Sequence, residues 1–172
     1  MLYNKLWRVD EDDLHQVKLC ITSGLKGSFT KKFENKFGQY LNTKYAVGVG
    51  SATHALHLAL RSMCVSSNDE VIVPTFTFAA TANAVRYCGA KPILTDVDTN
   101  TFNISIKEIE KNINKKTKGI IVVHYGGQSC DLEPIMEISR KKNLFVIEDC
   151  AHALGSTYTV SYTHLTLPTN RE

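Results

Sequence analysis

The sequence contains no CxxC pair, no lysine beyond Lys142, and no apolar run approaching the roughly 20 residues that cross a membrane. Its five cysteines (Cys20, Cys64, Cys88, Cys130 and Cys150) lie far apart. An odd number of scattered thiols speaks against a disulfide frame or a zinc site and for a reducing, cytoplasmic setting. The opening residues, MLYNKLWRVDEDD, lack the apolar centre of a secretory leader, so no signal peptide is expected. Charge of neither sign dominates: the formal net charge is +3, and lysines such as Lys107, Lys111 and Lys115 gather on helix faces. A basic stripe for nucleic acid is therefore not expected, and neither is a membrane partner. What remains, 43% hydrophobic and 22% charged over 172 residues, is the composition expected of one soluble globular domain.

Hydrophobic period supplies the architecture. Residues 11–20 predict a helix with Leu14, Val17 and Ile21 inward, and Gly24 and Gly27 open a loop. Thr30 can cap a second helix carrying Phe33 and Phe37 on one face. Tyr45–Val49 predicts a strand that Gly50-Ser51-Ala52-Thr53 turns into a helix. There Ala52, Ala55, Leu56, Ala59, Leu60 and Met63 make a continuous apolar stripe. Strands are then expected at 71–73, 92–95, 118–123 and 144–147. Helices are expected within 75–88, at 105–113 with Ile106, Ile109 and Ile113 inward, and at 132–142 with Ile135 and Ile138 inward. Strands and helices in alternation predict an α/β fold with a mostly parallel sheet and flanking helices. Residues 159–172, TVSYTHLTLPTNRE, show no sustained period and are expected to add no further strand–helix unit.

In such a sheet the C-terminal strand ends share one edge, where open α/β folds bind ligands. Ser51–Thr53, Thr75–Phe78, His124–Gln128 and Asp149–His152 converge there. Taken alone, Asp149 serves as readily to cap the next turn as to meet a ligand. Gly48-x-Gly50-x-x-Thr53 half matches a dinucleotide-binding loop, but the next strand ends at Pro74-Thr75 without the acid that would hold a ribose. A helix N-terminus with small residues suits a phosphate, and it is equally a plain tight turn. Phe76 and Phe78 can stack on a flat ligand or simply fill core. His152, three residues after Asp149, shares its face if the backbone there is helical. Together, a phosphate cradle, an aromatic face, a carboxylate and an imidazole fit a flat, phosphate-bearing heteroaromatic cation such as pyridoxal phosphate (PLP).

Four separated blocks make the resemblance specific: GSATHALHLAL, DEVIVPTFTFAATANAVRYCGAKPILTDVD, HYGGQ and VIEDCAHALGS. In order and spacing the chain resembles the DegT/StrS-type nucleotide-sugar aminotransferases from about Trp7 to Tyr158. These are PLP enzymes of the aspartate-aminotransferase fold, fold type I. The resemblance implies that residues 1–158 are the N-terminal part of the PLP-binding large domain. It implies that amides of Ala52 and Thr53, with the Thr53 hydroxyl, hold the cofactor phosphate. Phe78 is then expected to stack on the ring, Asp149 to pair with its nitrogen and His152 to contact its phenolic oxygen. The implied catalytic residues are Asp149 and His152, and the loop Gly24–Thr30 lies near the sugar nucleotide. The family usually has glycine where Ala52 stands, a mild departure.

A larger departure is the missing lysine. The family's cofactor-bonding lysine follows the acid–His block by some 25 to 30 residues, in a serine-containing segment, and this sequence has none after Lys142. Residues 159–172 are read as a non-homologous tail of read-through character, and the chain as given is expected to be inactive alone. The implied activity of the whole enzyme is transfer of an amino group, from glutamate, to a keto-sugar nucleotide, in a homodimer. Two other readings stay open: a PLP-dependent sugar dehydratase of the same fold, and a non-catalytic binding or regulatory relative.

Overall fold

The computed structural model describes residues 9–23, 28–160 and 163–166. It divides into two compact units, Met1–Gly48 and Val49–Glu172. In the first, helix α1 (Glu11–Thr22) begins with a reciprocal cap: the Asp10 carboxylate accepts the Asp13 amide at 2.9 Å and the Asp13 carboxylate accepts the Asp10 amide at 3.1 Å. The stripe expected to face inward does not: Leu14, Val17 and Ile21 are 55%, 57% and 65% exposed. Amphipathic spacing prepares a face for burial but supplies no surface to bury it against. Helix α2 (Ser28–Tyr40) starts before Thr30, which lies within its first turn instead of capping it, because nothing at Ser28-Phe29 breaks the helix. Of the loop expected at Gly24–Thr30, residues 24–27 lie outside the described residues and Ser28–Thr30 are helical. Phe33 and Phe37 share one face, as expected, and their rings stack at 5.5 Å.

The strand expected at Tyr45–Val49 does not form. A β-strand exists through its ladder, and among the described residues no strand pairs with this segment, so Tyr45 and Val47 stand 74% and 76% exposed. Its Gly48 amide is instead tied back to Glu34 Oε1 at 2.8 Å.

In the second unit, helix α3 (Ala52–Ser62) precedes the alternation β1 (Glu70–Pro74), α4 (Ala79–Tyr87), β2 (Lys91–Thr95), α5 (Ile106–Asn112), β3 (Thr117–Val123), α6 (Leu132–Lys142) and β4 (Phe145–Asp149). All four strands pair in parallel, in the order β2-β1-β3-β4. The pleat sorts their side chains by parity. Val71, Val73, Ile121 and Ile147 join Leu56 and Leu60 of α3 and Ala84 and Val85 of α4 in one core. Ile72, Ile120, Val122 and Val146 join Ile109 of α5 and Ile135 and Ile138 of α6 in the other. Burial of each such side chain stabilises by about 1.5–3 kcal/mol. A methyl at Gly119 would fall inside the Phe145 ring, so only hydrogen fits there.

From β1 the chain crosses through α4 to β2 on one side, and from β3 through α6 to β4 on the other. The order in which strands are added therefore reverses between β1 and β3, where α/β folds open a crevice at their strand ends. At the tail, β5 (Thr157–Val160) and β6 (Thr163–Thr166) pair as an antiparallel hairpin. Local backbone pairing needs no hydrophobic period. It adds no strand to the parallel sheet.

Candidate active site

β4 runs two residues past the apolar stretch and ends in two acids, Glu148 and Asp149, which the pleat sends to opposite sides of the sheet. Asp149 goes with Ile147 to the α3/α4 side. Its Oδ1 accepts the Ala151 amide at 3.1 Å and its Oδ2 faces the Thr81 hydroxyl at 3.4 Å. It thus caps the following turn and still has acceptor capacity, because a carboxylate takes about four donors. Thr81 is fully buried in the first turn of α4. Since its one hydroxyl hydrogen points to Asp149, the 2.9 Å contact with Thr77 is made by Thr77 donating to Thr81.

Phe78 is the N-cap of α4 and is 77% exposed, so it does not fill core. Phe76, 41% exposed, packs on Phe102 at 5.4 Å and on Tyr125 at 4.4 Å. Tyr125 also meets His152 edge-on at 5.9 Å. The backbone at His152 is a turn, not a helix, so the imidazole packs against Tyr125 instead of sharing a helical face with Asp149. The aromatic rings thus run from the ends of β1 and β2 to the ends of β3 and β4, across the β1/β3 crevice.

Ala52 and Thr53 open α3, which packs against α4 and β4. Ser51 caps it, its hydroxyl accepting the His54 amide at 3.3 Å. The amides of the first turn have no acceptor within the helix, which leaves donors for an anion. No hydrogen bond joins Ala52 or Thr53 to Asp149 among the described residues. A polar hollow of about 650 Å³, lined by Lys31, Glu34, Asn35, Gln39 and Lys44 among others, contains none of the expected site residues.

On the α5/α6 side, Glu148 Oε2 lies 3.1 Å from His124 Nε2, and both residues are buried. Burial, and then the charge of Glu148, push the Cys130 and Cys150 thiols up to about 12. They stay protonated at neutral pH, which rules them out as nucleophiles there.

Thr81, Glu148 and Asn103 carry much of this geometry and were not singled out from sequence, while His124 and Tyr125 were placed only as part of the His124–Gln128 strand end. Thr81 had a signal, three residues after Phe78 on a helix start. Tyr125 had one in lying just past a strand end. Asn103 had none: its amide donates to the carbonyls of Gln128 and Ser129 at 3.2 and 3.0 Å, and its Oδ1 accepts the Tyr125 amide at 3.3 Å.

Residues 8–162 match the DegT/DnrJ/EryC1/StrS aminotransferase family. Over 137 residues the chain is 50% identical to GDP-perosamine synthase of Escherichia coli O157:H7, covering 80% of this chain and 38% of that protein. It superposes on an aminotransferase from Psychrobacter cryohalolentis with a TM-score of 0.84 at 37% identity, covering 88% of this chain and 39% of that one. A Streptococcus pneumoniae protein solved in its PLP form matches with a TM-score of 0.80 at 31% identity, over 88% of this chain and 43% of the other. The chain thus spans about two-fifths of the length of these relatives. With four matching sequence blocks, a four-stranded parallel sheet of the same fold and a family match over most of its residues, the chain belongs to the DegT/DnrJ/EryC1/StrS aminotransferase family.

Proposed function

We propose that this chain is the cofactor-binding part of an enzyme that moves an amino group from an amino acid, glutamate by expectation, onto a keto-sugar nucleotide, with PLP as cofactor. The observation that carries the reading is Asp149: a half-buried carboxylate at the C-terminal end of β4, held by Thr81 and Ala151, with acceptor capacity left over. The residues present suit the cofactor in kind. Bound there, PLP supplies an electron sink for a developing carbanion. Asp149 keeps the ring nitrogen protonated, and Thr81 holds Asp149 in place. The amides of Ala52 and Thr53, with the Thr53 hydroxyl, take the phosphate. Phe78 covers one face of the ring, and His152 donates to its phenolic oxygen. Residues 1–158 form the large-domain part of this site, with 159–172 outside it. The whole enzyme works as a cytoplasmic homodimer.

The test places residues 49–158 in the matching segment of the E. coli GDP-perosamine synthase. The chimera is expected to transaminate. Asp149→Ala in it is expected to cut turnover by roughly 10- to 1000-fold, the ring-protonation loss equivalent to removing a paired charge worth about 1–3 pKa units. Near-normal turnover in that variant refutes the assignment.

A further inference from the structure

We propose that His124 and Glu148 act as a positioning pair, a buried carboxylate–imidazole link that ties the end of β4 to the loop 124–130. The link holds Asp149 and Tyr125 at a set separation across the sheet edge. The inference rests on the PLP reading for what Asp149 and Tyr125 do, and on geometry alone for the link itself.

Both ring nitrogens of His124 are committed. Nδ1 accepts the Cys130 amide at 3.0 Å, so it carries no proton. The proton is therefore on Nε2 and points to Glu148 Oε2 at 3.1 Å. One imidazole thus spans from β4 to the far end of the loop, and His124's own amide donates to the Asp149 carbonyl at 3.2 Å. The same three residues that could ligate a metal, His124, Glu148 and Cys150, have ligand atoms within 4.8 Å of one another. Both ring nitrogens are already hydrogen-bonded, so the arrangement is a closed hydrogen-bonded link.

The loop needs such a link. Gly126 and Gly127 have φ of +61° and +88°, a left-handed pair that only glycine adopts without strain, and the loop's own structure is a single 3-10 turn. Side chains fix its conformation: the His124 ring on the Cys130 amide, Asn103 on the Tyr125 amide and the Gln128 and Ser129 carbonyls, and Ser156, whose hydroxyl donates to the Gly127 carbonyl at 2.8 Å. Of these, only His124 reaches the strand that ends in Asp149. Tyr125 in turn sets His152 and Phe76. Loss of the Glu148 carboxylate leaves a buried N–H without an acceptor and removes the side-chain half of the link, leaving only the backbone bond from the His124 amide to the Asp149 carbonyl.

The experiment uses the isotope-labelled chain as it stands, below its melting temperature. In the wild type, the imidazole nitrogen spectrum is expected to show the neutral ring protonated on Nε2. The Cys130 amide should exchange slowly, and the Tyr125 ring should show proton contacts to His152 and Phe76. Glu148→Ala is expected to lose the Nε2 signature, speed Cys130 exchange and weaken the Tyr125–His152 contact. It should raise the dissociation constant for added PLP about tenfold, the equivalent of one hydrogen bond. Glu148→Gln, whose amide oxygen still accepts from Nε2–H, should restore all four. Unchanged Tyr125 contacts and PLP affinity in folded Glu148→Ala, or no restoration by Glu148→Gln, overturns the proposal. A wild-type ring protonated on Nδ1 overturns it without any variant, as does displacement of the Nε2 proton by added zinc. Asp149→Ala separates the two readings. It should weaken PLP while leaving the His124 signature intact. If it leaves PLP binding unchanged, the cofactor reading fails, and the exchange and ring-contact measurements still decide the pair.

Discussion

Glu148 and Asp149 are neighbours in the chain and opposites in environment. Glu148 is 3% exposed, sealed among His124, Cys130 and Cys150 on the α5/α6 side. Asp149 is half-buried on the α3/α4 side, at the end of β4, with Thr81 of α4 as a side-chain partner. One residue of register separates them, and the pleat does the rest. The same type of group is a closed structural link on one side of the sheet and an open binding group on the other. A carboxylate at a strand end therefore says little until the side it faces is known.

The comparison breaks most visibly at the thiols of the sealed side. With Cys130 and Cys150 pushed from 9.0 up to about 12, alkylation near pH 8 is expected to run about a thousandfold slower in the folded chain than in urea, tracking the thiolate fraction. Mass spectrometry of timed quenches reads this site by site, and labelling of both at the unfolded rate would show that side to be open. The same shift has a sign in stability. These thiols contribute fully below the ordinary 9.0 and lose that contribution as pH rises towards 12, because the unfolded chain ionises first. Melting temperature is expected to fall over that interval.

Below the strand ends the two sides should behave alike. Ile135 and Leu60 are both fully buried, one in each core, so Ile135→Ala and Leu60→Ala are each expected to cost about 2–5 kcal/mol by denaturant titration. A cost confined to one of them would mean that only one side is packed.

On the open side the effects move from stability to binding. Thr53→Ala should raise the PLP dissociation constant by between about twofold and tenfold, one neutral hydrogen bond. Thr53→Pro should raise it further, since it also removes an amide of the α3 first turn. Equal and negligible changes in a cofactor titration would take the phosphate away from this helix. The smallest expected effect is on stability at Phe78. With that side chain 77% exposed, Phe78→Ala should shift stability by no more than about 0.5 kcal/mol while weakening PLP. A larger loss of stability with unchanged PLP affinity would make Phe78 a packing residue after all.

The parts that depend on local pattern were legible in the sequence. The parallel α/β alternation, the inward faces Ile109, Ile135 and Ile138, and the arrival of Asp149, Phe78 and the HYGGQ loop at strand ends all follow from hydrophobic period and from the breakers that end each run. Four family blocks in order added the cofactor class. Tertiary structure alone decided whatever needs a second surface. Tyr45–Val49 reads as a strand, and among the described residues no strand pairs with it. Leu14, Val17 and Ile21 have the spacing of a buried stripe and stay exposed, and Thr157–Val160 pairs with Thr163–Thr166 although the tail has no period. The partners Thr81–Asp149 and His124–Glu148 lie 68 and 24 residues apart in the chain. Such contacts are set by strand order and register, so no local window of the sequence contains them.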